Sequence, residues 1–125
     1  MIQRKVKVPV THEVTLSITR GGKLKCQPTS VEVRPRDVIV WKWREKQDFP
    51  FGLVLKSPIT PLVQHYYVTS LKRGALKVIQ TRVLDFAPPG TYPYLAAAFV
   101  DGKLLVEDPE LIVRPPAGGG KSFTP

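Results

Sequence analysis

The amino-acid sequence predicts an all-β protein, an antiparallel Greek-key β-sandwich of about seven to nine short strands. Three observations support this. Apolar and polar residues alternate in several runs, the pattern of strands with one buried face. Turn residues recur at intervals of roughly 8–12 residues. No segment of about a dozen residues keeps a 3.6-residue period without Pro or Gly, so no amphipathic helix is expected. The 125 residues are enough for one hydrophobic core.

The first run places Val6, Val8, Val10, Val14, Leu16 and Ile18 on one parity and Lys5, Lys7, Glu13, Thr15, Ser17 and Thr19 on the other. Arg20-Gly21-Gly22-Lys23 interrupts it as a hairpin turn. Leu24-Lys25-Cys26 and Val31-Glu32-Val33 resume the alternation on either side of Pro28, which cannot donate to a ladder. Pro35-Arg36-Asp37 is a second turn, followed by the β-rich run Val38-Ile39-Val40-Trp41-Lys42-Trp43. Leu53-Val54-Leu55, Tyr66-Tyr67-Val68, Leu76-Lys77-Val78-Ile79, Val83-Leu84-Asp85-Phe86, Tyr92-Pro93-Tyr94-Leu95 and Glu110-Leu111-Ile112-Val113 are the remaining strand candidates. Residues 1–114 form the expected domain. Residues 115–125 are rich in Pro and Gly and too poor in apolar groups to offset ordering entropy, and so read as a flexible tail.

Two segments together resemble the cupredoxins. Val31-Glu32-Val33-Arg34-Pro35-Arg36-Asp37-Val38-Ile39-Val40-Trp41 is similar to that family's V-x-P-G-D-x-V-x-W strand-turn-strand. Phe86-Ala87-Pro88-Pro89-Gly90-Thr91-Tyr92-Pro93-Tyr94 is similar to the F-x-x-P-G-T-Y-x-Y segment that precedes the copper loop. The resemblance covers about residues 24–113 and implies a two-sheet sandwich. Arg36 stands where the family usually has glycine, implying a turn that avoids positive φ.

In the family, copper is held by a His after the first segment and by a Cys, a second His and usually a Met after the second; a thiolate with two imidazoles sets the blue-copper centre. Carried over by position, the first His falls on Phe51, the Cys on about Ala96 and the second His on Phe99, and no Met follows. The resemblance therefore implies a protein with no copper, no other cofactor and no electron-carrier role. The stretch from Phe99 to Pro109 is longer than the family's ligand loop, and its Asp101-Gly102 pair suits a type I′ hairpin.

Other chemistries are weak. Cys26, His12, His65 and Met1 supply copper-ligand types, but from scattered positions without a metal-motif spacing. Cys26 reads as a small buried apolar group. Gly120-Lys121-Ser122 lacks the first glycine and the following helix of a phosphate loop. Asp101, Glu107, Asp108 and Glu110 read as a solvated hairpin, since no calcium-loop spacing is present. With two histidines and no serine–histidine motif, the sequence gives no catalytic residues and is read as no enzyme.

The formal charge of +9 favours anionic partners. Basic groups are spread along the chain, at Arg4-Lys5-Lys7, Arg20-Lys23-Lys25, Lys42-Arg44-Lys46 and Lys72-Arg73-Lys77, and Trp41, Trp43, Phe49 and Phe51 interleave with one of them. Nucleic-acid binding is thus one alternative. No apolar stretch is long enough for a membrane span or secretory signal, so a cytoplasmic location is expected.

The favoured function is a non-enzymatic binding module for an unknown protein partner or a second copy. Its contact surface would be an apolar pole of Phe49, Phe51, Phe99 and Val100, rimmed by Lys42, Arg44 and Lys46. The alternative for the phenylalanines is that they fill the vacated ligand space as core.

Overall fold

The computed structural model describes residues 8–69 and 77–116. The final nine residues of the expected tail, with Gly120-Lys121-Ser122, lie outside them, as do Arg4, Lys5, Lys7, Lys72 and Arg73. The protein is an all-β sandwich, with ten strands among the described residues: β1 Thr11–Ile18, β2 Leu24–Gln27, β3 Ser30–Val33, β4 Val38–Trp43, β5 Phe51–Leu55, β6 Tyr66–Val68, β7 Val78–Arg82, β8 Gly90–Val100, β9 Lys103–Glu107 and β10 Glu110–Val113. One sheet has the order β2-β1-β4-β7 and the other β3-β10-β8-β5-β6, with β9 beside the C-terminal half of β8. The sheets are mixed: β1 runs parallel to β4, and β3 parallel to β10. No helix among the described residues is long and apolar enough to cross a membrane.

Alternation sets the core as the sequence predicts. Val14 and Leu16 of β1, Ile39, Trp41 and Trp43 of β4, Leu53 of β5, Tyr94 and Ala96 of β8, and Leu111 of β10 are buried between the sheets. Trp41 and Tyr94 meet edge to face at 5.8 Å, and Trp41 Nε1 donates to the Tyr94 hydroxyl at 3.0 Å. A buried indole N–H thus finds its acceptor on the opposite sheet, which fixes the relative setting of the two layers. Tyr92 opens β8 with its hydroxyl donating to Pro88 O at 2.6 Å, the tyrosine-corner geometry of Greek-key sandwiches.

Three sequence expectations change. Val8 and Val10 are exposed and precede β1: its partner β4 starts only at Val38, opposite Thr11, so no layer among the described residues covers them. Val83-Leu84-Asp85-Phe86 is not a strand. Val83 makes one isolated bridge to Leu62, and Ala87 N then closes a turn onto Leu84 O. Pro88 and Pro89, with no N–H, could not extend a ladder there. Arg36 has φ 74, so the turn does not avoid the left-handed region. Arg34 O accepts Asp37 N at 3.0 Å, giving a type II turn with Pro35 at its second position and the positive φ at its third. The β8–β9 hairpin matches its expectation, with φ 49 at Asp101 and φ 80 at Gly102.

Candidate interaction surface

At the end of the sandwich where β4 finishes and β5 begins, Phe51 is only 3% exposed. Its ring stacks on Trp43 at 6.1 Å, Phe49 meets Trp43 edge-on at 6.1 Å, and Trp43 Nε1 donates to Gln47 O at 2.8 Å. This aromatic plug occupies the region where the resemblance would put the first copper ligand. Ala96 is fully buried and Phe99 stands outside the core. None of the three side chains carries a nitrogen, sulfur or oxygen donor, so they do not fit a blue-copper ion.

Of the other ligand-type residues, Met1 lies outside the described residues and the rest are engaged separately. Cys26 is buried, and desolvation, with the Glu107 carboxylate second, pushes its thiol up to about 12. Its backbone N–H donates to Glu107 Oε1 at 2.7 Å. His12 Nε2 lies 2.8 Å from Asp37 Oδ2, and His65 Nε2 lies 3.0 Å from Ser57 O in an exposed loop. Among the described residues no three of His, Cys, Asp and Glu come together as a metal site. Within the acidic group, Asp108 pairs with Lys56 at 2.5 Å and Glu110 accepts from Ser30 Oγ at 3.2 Å.

The expected apolar pole is divided. Phe51 is core; Phe49 and Val100 are half-buried against it; only Phe99 is largely exposed, at 52%. Lys42 lies on β4 of the opposite sheet, paired with Glu13 at 2.7 Å, while Arg44 and Lys46 belong to the loop that leaves β4.

Phe99 instead belongs to a larger surface that sequence reading missed. Cross-strand register aligns Val68, Gly52, Ala97 and Val106 in one row, Tyr66, Val54 and Leu95 in a second, and Phe99 with Leu104 in a third. All nine lie on the parity opposite the buried Phe51, Leu53, Ala96 and Ala98, on the outer face of β6-β5-β8-β9. None is charged, and Tyr66, Val68, Phe99, Leu104 and Val106 are each more than half exposed. A shallow groove of about 340 Å³ crosses the face, floored by Gly52 and Ala97 and walled by Tyr66, Val68, Phe99 and Leu104. A Cβ on Gly52 would stand 2.9 Å from Tyr67 O, so glycine is what allows β6 to approach β5 so closely.

A sequence signal for this face exists. In Leu95-Ala96-Ala97-Ala98-Phe99-Val100 and Leu104-Leu105-Val106 the alternation fails because both parities are apolar. An antiparallel strand with water on one side normally alternates, so a run apolar on both parities marks a second apolar face.

The fold is similar to that of two solved structures at low sequence identity. One is a mutant of amicyanin in its reduced Cu(I) form at pH 4, at 13% identity and TM-score 0.46, covering 88% of this chain and 86% of that one. The other is a cysteine protease inhibitor from Entamoeba histolytica, at 11% identity and TM-score 0.49, covering 87% of this chain and 100% of that one. No protein-family model and no curated protein matches the chain.

Proposed function

We propose that this protein is a non-enzymatic, copper-free binding module of cupredoxin-like sequence pattern that docks another protein on the outer face of β6-β5-β8-β9. The observation that carries this reading is the uncharged, largely exposed row structure of Tyr66, Val68, Val54, Phe99, Leu104 and Val106. A contiguous apolar face on a chain of charge +9 is costly to leave in water, and such patches mark contact surfaces. Among the described residues lining the groove, the polar side-chain groups are the hydroxyls of Tyr66, Tyr67 and Thr69. Nucleic acid suits this face poorly, because among the described residues no cation belongs to its nine positions to meet phosphate.

The test is capture of a partner from native cells with wild-type protein, followed by titration of the purified partner against a Phe99→Ser/Leu104→Ser double variant. At least about tenfold weaker binding by the variant, with little change between low and moderate salt, is expected. Equal affinity for the variant, or an affinity that falls steeply with salt, would reject the reading and point to the positive surface instead.

A further inference from the structure

Among the described residues β6 is an open sheet edge. Leu55 N donates to His65 O at 2.7 Å and Thr69 N to Phe51 O at 2.9 Å. With Leu53 opposite Tyr67, the main-chain groups of residues 65, 67 and 69 are therefore turned toward β5. In an antiparallel ladder the intervening residues point the other way. The N–H and C=O of Tyr66 and Val68 thus face away from β5, and among the described residues no hydrogen bond reaches them. Both residues are more than half exposed, and both side chains belong to the apolar outer face.

A second feature lies along the same edge. Across the open side of the sandwich β6 faces β7, the edge of the other sheet, with the Tyr67 hydroxyl 2.8 Å from Thr81 Oγ1. Between them is a cleft of about 410 Å³ lined by Val38, Val63, Gln64, Gln80, Thr81 and Arg82. A strand laid against β6 would alternate its side chains, one parity continuing the outer face and the other entering this cleft, where the polar groups of Gln64, Gln80, Thr81 and Arg82 stand beside Val38 and Val63.

We infer that the partner enters as an extended peptide segment that adds a strand to β6. The segment is apolar on the parity beside Tyr66 and Val68 and polar or acidic on the parity facing Gln64, Gln80 and Arg82. This rests on the reading that the outer face binds protein, and it names the conformation and chemistry of what binds. Donors and acceptors that have no partner among the described residues, repeating at every second residue, match the repeat of another amide backbone. A second copy fits less well. Its own β6 has three residues, and the one that points inward, Tyr67, is already held to Thr81, so it brings no side chain to fill the cleft.

The probe is a fluorescently labelled octapeptide alternating valine and glutamate, compared with the same peptide N-methylated at its valines. Valines opposite Tyr66 and Val68 would donate the edge hydrogen bonds, so methylation removes those donors and keeps every side chain. Expected results are saturable binding below about 1 mM, slowed hydrogen exchange at the Tyr66 and Val68 amides, and about tenfold weaker binding after N-methylation. A Val68→Pro variant, which removes an edge N–H at a position where proline is tolerated, is expected to weaken binding equally. No binding at about 1 mM, or binding indifferent to N-methylation on the wild-type protein, overturns the inference. A concentration-dependent dimer that Val68→Pro disrupts, with no peptide bound, assigns the edge to a second copy and also overturns it. Loss of partner affinity in Phe99→Ser/Leu104→Ser without any N-methylation effect leaves the docking face standing and removes only the strand addition. Full affinity in that double variant removes the docking face itself.

Discussion

Phe51 and Phe99 are both apolar aromatics at positions where the cupredoxin resemblance would place histidines, yet the structure gives them opposite environments. Phe51 is buried and stacked on Trp43, whereas Phe99 stands 52% exposed beside Leu104. Replacing each therefore separates packing from surface. Phe51→Ala removes a ring from a filled core and is expected to cost about 3–5 kcal/mol. Phe99→Ser loses only partial burial and strand preference and is expected to cost about 1 kcal/mol or less. Urea unfolding midpoints measure both. Similar losses at the two sites would mean that Phe99 is also structural, and the outer face would lose its best-placed aromatic as a contact. Sequence alone left this choice open. The two residues belong to neighbouring antiparallel strands, and whether each points in or out depends on a register that single-sequence patterning does not fix.

Among the elements, the turn joining β3 to β4 shows what the motif encodes. Asp37 is buried within it. Its Oδ2 accepts from Arg34 N at 3.0 Å and lies 2.8 Å from His12 Nε2, and its Oδ1 accepts from Val10 N at 3.1 Å. One carboxylate thereby closes the turn and ties down the segment entering β1, which helps to hold Arg36 at its positive φ. Burial by itself would raise the Asp37 carboxyl, but the hydrogen bonds from His12, Val10 and Arg34 outweigh it and hold the group below the usual carboxylate range. With the folded value depressed, the stabilisation is complete above the unfolded value of about 3.9 and is lost as pH falls through the folded value. Asp37→Asn is expected to lower stability at neutral pH by about 1–3 kcal/mol and to flatten the decline below about pH 4. Urea midpoints at a series of pH values test this; parallel curves for variant and wild type would remove Asp37 from the acid limb. The sequence made the turn and the strand cores legible, because Pro, Gly and two-residue alternation are local signals. It did not show where β4 and β8 take their partners. Pairing β1 with β4 in parallel, and splitting β8 between β10 and β9, are long-range choices. The nine-residue outer face depends on those choices.

At the scale of the whole molecule, stability rests on the seam between the sheets, and Cys26 lies within it. The thiol is 1% exposed on β2, and its backbone is tied across the chain to Glu107 of β9. Closing that seam brings together segments eighty-one residues apart in sequence, so a contact of this kind should open only when the sandwich opens. With its thiol held near 12, Cys26 has almost no thiolate in the native state at pH 8, and burial blocks reagent as well. Native labelling by an aromatic disulfide reagent is therefore expected to be slow and to accelerate with urea along the slope of global unfolding. Each loss of native stability, by Phe51→Ala for instance, should raise the labelling rate in proportion to the unfolded population, whereas Phe99→Ser should barely change it. A labelling rate independent of urea would mean that the β2–β9 seam opens locally. The sandwich would then have a soft side at β2, on the far side of the outer face from the open edge at β6.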